Sequence, residues 1–166
     1  KVTCGRRVVC PSERMHPAMA YDPLRGVHVL FGGDGWTSEL NDTYVFNGAT
    51  KTWRQMTDGT APPARVAAAA AFVPDLGRIV MHGGYTWSDS SPRKDMYLWN
   101  GAVWEIAQYT NPLADVPAVW NHDMAWDPIG RRLIVTGGFM DSAHEQPNDK
   151  TWYVTFSSAT GAWRAT

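Results

Sequence analysis

Two tryptophans with charged neighbours are the residues of this chain best suited to hold a ligand. Trp36 and Trp87 each lie three residues after a Gly-Gly pair. An indole face stacks on the apolar face of a pyranose, and nearby carboxylates accept hydrogen bonds from its hydroxyls. The same groups would also bind a peptide. The alternative is that both indoles pack inside the fold. The full candidate set is Trp36, Trp87, Arg93, Asp141, His144, Arg65 and His122.

Three copies of one short pattern organise the chain around these candidates. The stretches Val27–Gly33, Arg78–Gly84 and Arg132–Gly138 each run from an apolar segment into Gly-Gly. The first glycines of the pairs lie 51 and then 54 residues apart, and each follows a proline by nine residues. A match at three places with a fixed offset is an internal repeat.

Each repeat predicts four short strands and hence an all-β fold. The apolar segments are short, rich in Val, Tyr, Phe, Trp and Thr, and bounded by Gly, Asn, Asp and Pro, which is typical of strands and hairpins. The second strand is apolar nearly throughout, so we expect it to be buried on both faces. The three units are predicted to span residues 14–57, 64–109 and 119–166, after an N-terminal segment at 1–13.

The repeat closely resembles the kelch repeat in its apolar strand, Gly-Gly pair, polar loop, Asp-x-Tyr and later Trp. The matching residues are Gly32, Gly33, Tyr44 and Trp53; Gly83, Gly84, Tyr97 and Trp104; and Gly137, Gly138, Tyr153 and Trp163. Arg14 and Arg65 resemble the arginine that often precedes the first strand, where the third unit has Val119. The longer spacing between Asp149 and Tyr153 predicts a bulge or a shifted register in that strand.

The kelch resemblance implies a β-propeller, with four-stranded blades around a central channel and the first strand of each blade at the channel. It implies that the loops between strands two and three share one face with the linkers between blades. Closed propellers typically have four to eight blades, so a homodimer of this chain would close a six-bladed ring. The seam would then include Glu13–Ala20 and Trp152–Thr166. The competing explanation is that the chain is a piece of a longer propeller.

Two further sets of residues recur at the repeat period and are assigned structural roles. Trp53, Trp104 and Trp163 are expected to pack between blades. Asp42 and Asp95, which precede the tyrosines of the third strands, are expected to accept hydrogen bonds from backbone amides of the loops.

Composition and motifs narrow the classes of function. The net charge of −1 argues against a nucleic-acid surface, and no apolar run approaches the length of a membrane span. No HxH, HExxH, nucleophile–base or phosphate-loop motif occurs, so neither a metal nor a cofactor is predicted. The only cysteines, Cys4 and Cys10, leave a disulfide, packed free thiols and a metal open. A disulfide would favour an extracellular or periplasmic location.

Two classes of function remain open. The first is a binding module that presents one propeller face to a protein segment or a glycan. The second is a carbohydrate-active enzyme, of isomerase or oxidase type, with its site at the mouth of the channel, near His16 and His122. The lack of a recognisable catalytic set favours the binding module, although propeller active sites are assembled from distant loops.

Overall fold

The computed structural model describes residues 9–57, 59–107, 116–157 and 162–165, and within these ranges the chain is all-β with no helix. The predicted all-β class is therefore confirmed. Three four-stranded antiparallel sheets follow one another along the chain. The first contains β1 (Ala18–Asp22), β2 (Val27–Asp34), β3 (Glu39–Asn47) and β4 (Thr52–Met56), paired in that order.

The second and third sheets repeat this order of strands. The second contains β5 (Ala69–Val73), β6 (Arg78–His82), β9 (Met96–Trp99) and β10 (Trp104–Ile106), and its loop holds a small ribbon of β7 (Tyr85–Thr86) and β8 (Ser91–Pro92). The third contains β11 (Trp120–Asp127), β12 (Arg132–Phe139), β13 (Thr151–Ser157) and β14 (Ala162–Ala165). Adjacent first strands contact each other, β1 with β5 and β5 with β11.

Two hydrophobic cores hold the three sheets side by side. The core between the first and second sheets includes Phe31 and Trp99, and the core between the second and third includes Val80 and Leu133. Alternate residues of the middle sheet point into the two cores, because successive side chains of a strand face opposite ways. This accounts for the nearly continuous apolar sequence of its second strand, as the repeat pattern predicts.

The first two glycine pairs lie where one sheet meets the next. The Gly33 N–H donates to the Arg65 carbonyl at 3.0 Å, and the Gly84 N–H donates to the Val119 carbonyl at 2.9 Å. A Cβ on the preceding glycine of each pair would lie 2.7 Å and 2.4 Å from the same two oxygens. A side chain at either position would therefore force the sheets apart, which explains why the repeat has glycine there.

An arginine fastens the glycine pair in each of the first two sheets. The guanidinium of Arg14 binds both carboxylate oxygens of Asp42 at 2.6 and 3.0 Å, and that of Arg65 binds Asp95 at 2.6 and 2.9 Å. Each arginine also donates to the carbonyl of the first glycine in its sheet. The two aspartates were expected to bind loop amides and instead pair with these arginines. In the third sheet the Asn148 amide donates to the glycine carbonyl at 3.1 Å.

The third sheet has the shifted register that its longer loop predicts. Trp152 pairs with the buried residue Val135 of β12. In the first two sheets the equivalent position of the second strand pairs with a tyrosine, Tyr44 or Tyr97. Tyr153, the residue that matches the repeat by type, is consequently one position too far along the chain. Its side chain faces the opposite side of the sheet from Tyr44 and Tyr97, because a shift of one residue exchanges the two faces.

The recurrent tryptophans differ in what they contact. Trp104 is buried between the first two sheets, and its indole N–H donates to the Thr43 hydroxyl at 3.1 Å, which agrees with packing between neighbouring repeats. Within this chain Trp53 packs on Tyr44 and Phe46 of its own sheet. Trp163 lies outside the residues whose side chains the structure describes.

Two other sequence predictions concern the cysteines and the membrane. Cys10 is disulfide-bonded, and Cys4 lies outside the described residues. Across those described ranges, the structure contains no helix long and apolar enough to cross a membrane.

Candidate functional site

The first two of the loops that follow the glycine pairs contact each other, and the second contacts the segment that enters the third sheet. The Trp87 backbone N–H of the second loop donates to the Glu39 carboxylate of the first. The second loop meets the third sheet where the Val119 N–H donates to the Arg93 carbonyl at 3.1 Å. We call the surface formed by residues 34–41, 85–94 and 139–150 the loop face.

Two exposed indoles stand on the loop face. The Trp36 side chain and backbone are 72% exposed in total and those of Trp87 are 42% exposed. The Trp36 backbone has φ of 73° and donates its N–H to the Asp34 carboxylate at 2.8 Å. A non-glycine residue rarely adopts this conformation, and the aspartate turn holds it here. Both backbones are thus anchored while the indoles face outward, so neither tryptophan forms part of the cores of this chain.

Arg93 is held in the second loop with part of its guanidinium available. Its Nε–H donates to the Thr86 hydroxyl at 2.9 Å, and Nη2 donates to the Asp89 carboxylate at 2.7 Å. A guanidinium has five N–H donors, so these two bonds fix its orientation and leave donors for a ligand oxygen. The Arg93 side chain is 28% exposed.

An aromatic cluster forms the third part of the loop face. The Trp120 ring lies 4.4 Å from the ring of His144 and 5.0 Å from that of Tyr85, measured between centroids. The Trp120 indole N–H donates to the Asp141 backbone carbonyl at 2.8 Å. The predicted residues Asp141 and His144 are therefore brought together by Trp120.

The sequence pattern did not point to Trp120. Its equivalents in the first two repeats are Met15 and Val66, so no repeated aromatic residue marks the position. The structure supplies the relation, because these residues pair with the residue after each Gly-Gly pair: Met15 bridges to Asp34, and Val66 to Tyr85. An aromatic residue in the third repeat at such a position would therefore lie beside the third loop.

Arg65 lies beneath the loop face. Its side chain is fully buried, and its N–H groups are bound by Asp95, the Gly83 carbonyl and the Pro63 carbonyl. A ligand would have to break the bidentate pair with Asp95 to reach it. The structure therefore places Arg65 as a support for the loops of the second sheet, while the other predicted loop residues are at the surface.

His122 forms a buried pair with His82 across the second and third sheets. His82 Nδ1 and His122 Nε2 are 3.2 Å apart. Burial lowers the pKa of His122 from 6.5 to about 4. Burial, followed by the charges of His122 and Arg65, holds the pKa of His82 well below its usual value. Both imidazoles are neutral at neutral pH.

The side chains of the site suit non-covalent binding. No group of three or more His, Cys, Asp or Glu side chains is placed to hold a metal ion in the part of the chain that the structure describes. Its exposed groups include indole faces, a partly free guanidinium, an imidazole and carboxylates. Such groups bind by stacking and hydrogen bonding.

Comparison with known proteins identifies a similar fold. No protein-family model matches the chain. A solved structure described as "Structure of YjhT" is similar, with a TM-score of 0.70 and 12% identity over 93% of this chain and 46% of that chain. At this identity the similarity shows the fold alone. The chain thus spans about half the length of the structure it matches.

Proposed function

We propose that the three sheets are blades of a kelch-type β-propeller and that the loop face is its binding surface. The kelch-like spacing of the glycine pairs supports the blades, as do the contacts between successive first strands. Propellers use the loops at one end of their blades in this way, because a rigid scaffold positions variable loops.

The ligand that best suits this surface is a glycan, with a protein segment as the alternative. The observation that carries the proposal is Trp36, which is 72% exposed on a backbone held by Asp34. An anchored aromatic side chain loses little conformational entropy when a ligand stacks on it. Arg93 supplies N–H donors for sugar oxygens nearby in the second loop.

Replacing Trp36 by alanine is expected to weaken ligand binding at least roughly 30-fold, since a central aromatic contact contributes about 2 kcal/mol or more. Trp87→Ala is expected to act in the same direction. Because the Trp36 side chain is mostly exposed, the melting temperature should stay within about 2 °C of that of the unmodified chain. Calorimetric titration and thermal unfolding measure the two effects separately.

Trp104→Ala is the matched control for these variants. Trp104 is 4% exposed, so its loss should destabilise the fold by about 3–5 kcal/mol. A Trp36→Ala variant that is as unstable as Trp104→Ala, or that binds ligand as tightly as the unmodified chain, would contradict the role of Trp36.

Glycan and peptide arrays at neutral pH identify the ligand class. Binding to a family of glycans, lost in Trp36→Ala, is the expected result. Binding to peptides alone would make a protein segment the ligand. Silence on both arrays, together with turnover of a sugar in an activity screen, would overturn the binding module.

The second candidate function is a carbohydrate-active enzyme with its site at the mouth of the channel. One observation favours it: His122 lines a groove with Met19, Ala69 and Met124 of the first strands. Its imidazole is neutral and could accept a proton. A pKa of about 4 makes it a weak base at neutral pH, however, so the binding module is the better supported of the two.

A further inference from the structure

We propose that the third sheet docks the first sheet of a second copy of this chain, through the backbone joint that already links its own sheets. The inference concerns a surface away from the exposed indoles and does not depend on the ligand of the loop face. Two complete joints, between the first and second sheets and between the second and third, show which residues would form a third joint.

The joint between the first and second sheets has three backbone hydrogen bonds. The Gly33 N–H donates to the Arg65 carbonyl at 3.0 Å, and the Arg65 N–H donates to the Leu40 carbonyl at 3.3 Å. The Ala67 N–H donates to the His16 carbonyl at 2.9 Å. These bonds join three parts of one sheet, namely the glycine pair, the loop and the segment before the first strand, to the segment that enters the next sheet.

The joint between the second and third sheets repeats all three bonds. The Gly84 N–H donates to the Val119 carbonyl at 2.9 Å, and the Val119 N–H donates to the Arg93 carbonyl at 3.1 Å. The Asn121 N–H donates to the Ala67 carbonyl at 2.9 Å. The residues occupy equivalent positions in the repeat, so the joint is a property of the repeat rather than of one pair of sheets.

The third sheet has the receiving half of the same joint. Gly137 and Gly138 have φ of 73° and 81°, as the other glycine pairs have positive φ. A Cβ on Gly137 would meet no heavy atom of the described residues within 4 Å, whereas one on Gly32 or Gly83 would meet the next segment's carbonyl. The backbone is thus shaped for a neighbouring strand that the described residues do not provide.

The first sheet has the entering half. Arg14 and His16 lie 51 residues before Arg65 and Ala67, the residues that enter the second sheet. His16 has φ of 51°, close to the 52° of Ala67 and the 56° of Asn121. One chain therefore offers both halves of a joint at opposite ends, and a second copy satisfies both by two-fold symmetry. Two copies also match the length of the similar solved structure, of which one covers 46%.

The turns between the first two strands of each sheet add a side-chain contact to the joint. Leu24 Cδ1 of the first sheet lies 3.0 Å from the Cβ position of Gly77 in the second. Ile129, the equivalent of Leu24 in the third sheet, is 95% exposed. Gly26, the equivalent of Gly77, has no described heavy atom within 4 Å of its Cβ position. In the dimer Ile129 of one copy would pack on Gly26 of the other.

The outward faces of the end sheets are compatible with each other. Leu133 and Val135 of the third sheet face the second, so Ile134 and Thr136 face outward by strand alternation. Thr136 shares a hydrogen bond with Thr151 on this face, at 3.2 Å between their hydroxyl oxygens. The outward face of the third sheet is therefore less apolar than expected for the last sheet of an open arc of blades.

The first sheet presents an aromatic face to its outer side. Phe46 packs on Trp53 at 4.9 Å between centroids, and His28 lies 6.3 Å from Phe46. These rings are half-buried in the chain. In the dimer, Ile134 and the two threonines would pack against these rings. Closure would also place both loop faces on one side of the ring.

Light scattering on the 166-residue chain at micromolar concentration is expected to give twice the 18.4 kDa mass of one chain. Gly137→Ala should raise the dimer dissociation constant at least about tenfold, because its Cβ would strike the partner's backbone as a Cβ on Gly32 would strike Arg65. Gly48→Ala, in an open turn between β3 and β4, is the control and should leave dimerisation unchanged.

A second pair of variants tests the joint without backbone strain. Ile129→Glu should dissociate the dimer while leaving the fold of each chain unchanged, since Ile129 is 95% exposed. Ile106→Glu, on β10 and 55% exposed, should leave the dimer intact. A monomeric chain would contradict the proposal, as would a dimer unaffected by both Gly137→Ala and Ile129→Glu. A polydisperse aggregate would also contradict it and would indicate that further blades of a longer chain occupy this face.

Discussion

Replacing Arg65 by methionine is expected to lower the free energy of unfolding by about 3–5 kcal/mol, a loss as large as that expected for Trp104→Ala. The Arg65 side chain is fully buried and binds both carboxylate oxygens of Asp95 as well as the Gly83 carbonyl. Methionine fills much of the volume but leaves a carboxylate and a carbonyl without their donors. Denaturant unfolding at neutral pH measures the loss.

Two further variants separate this effect from a general loss of charge. Arg78→Met removes an ion pair with Glu105 whose side chains are 33% and 45% exposed, so it should cost no more than about 1 kcal/mol. Adding Asp95→Asn to Arg65→Met should recover part of the stability, because it removes the unpaired charge. Equal costs for Arg65→Met and Arg78→Met would show that Arg65 does not fasten the second sheet.

Acidification from pH 6.5 towards pH 4 is expected to destabilise the fold by roughly 3 kcal/mol through His122 alone. The pKa of His122 is about 4 in the folded chain and 6.5 when unperturbed. Between pH 4 and pH 6.5 the unfolded chain binds more protons than the folded chain, so the unfolded population rises as the pH falls. The contribution of His122 to folding stability is thus fully present above pH 6.5 and is lost as the pH falls towards 4. His82, which faces His122 and Arg65 and whose pKa is also lowered, acts in the same direction.

The first joint of the chain supplies a control for this acid sensitivity. At the equivalent positions it has Phe31 and Ala68, which pack in the first core. The double variant His82→Phe with His122→Ala should therefore pack well and lose most of the fall in stability between pH 6.5 and pH 4. His16→Ala, at an exposed histidine, should retain it. The same pH dependence in the double variant and the unmodified chain would refute the assignment.

The repeat predicts the sheets because its signals are local. A glycine that must approach a neighbouring carbonyl, as Gly83 approaches that of Val119, can be replaced by no other residue without displacing the strand. Each repeat also carries turn residues and apolar strand segments, which are further local signals for the sheet. The longer spacing before Tyr153 likewise predicts a bulge or a shifted register, and the structure has a shift of one residue, which exchanges the two faces of the strand.

The site is less predictable, because its contacts join residues without a repeated pattern. Trp87 is anchored by Glu39, which lies 48 residues earlier, and nothing in the sequence relates the two. Arg65 has the residue type of a ligand-binding group, but its burial against Asp95 depends on how the second sheet packs. Loops carry no periodicity that fixes their side chains, so their geometry emerges only from the folded chain.

The indole N–H signals of the chain test the binding surface most directly. In a nuclear magnetic resonance titration with a glycan or peptide selected by the arrays, the signals of Trp36 and Trp87 should shift, because their indoles are exposed on the loop face. Those of Trp99 and Trp104, buried in the first core, should not move. Trp36→Phe and Trp87→Phe assign the signals. Shifts confined to tryptophans away from the loop face, with Trp36, Trp87 and Trp120 unmoved at saturation, would contradict the loop face as the binding site.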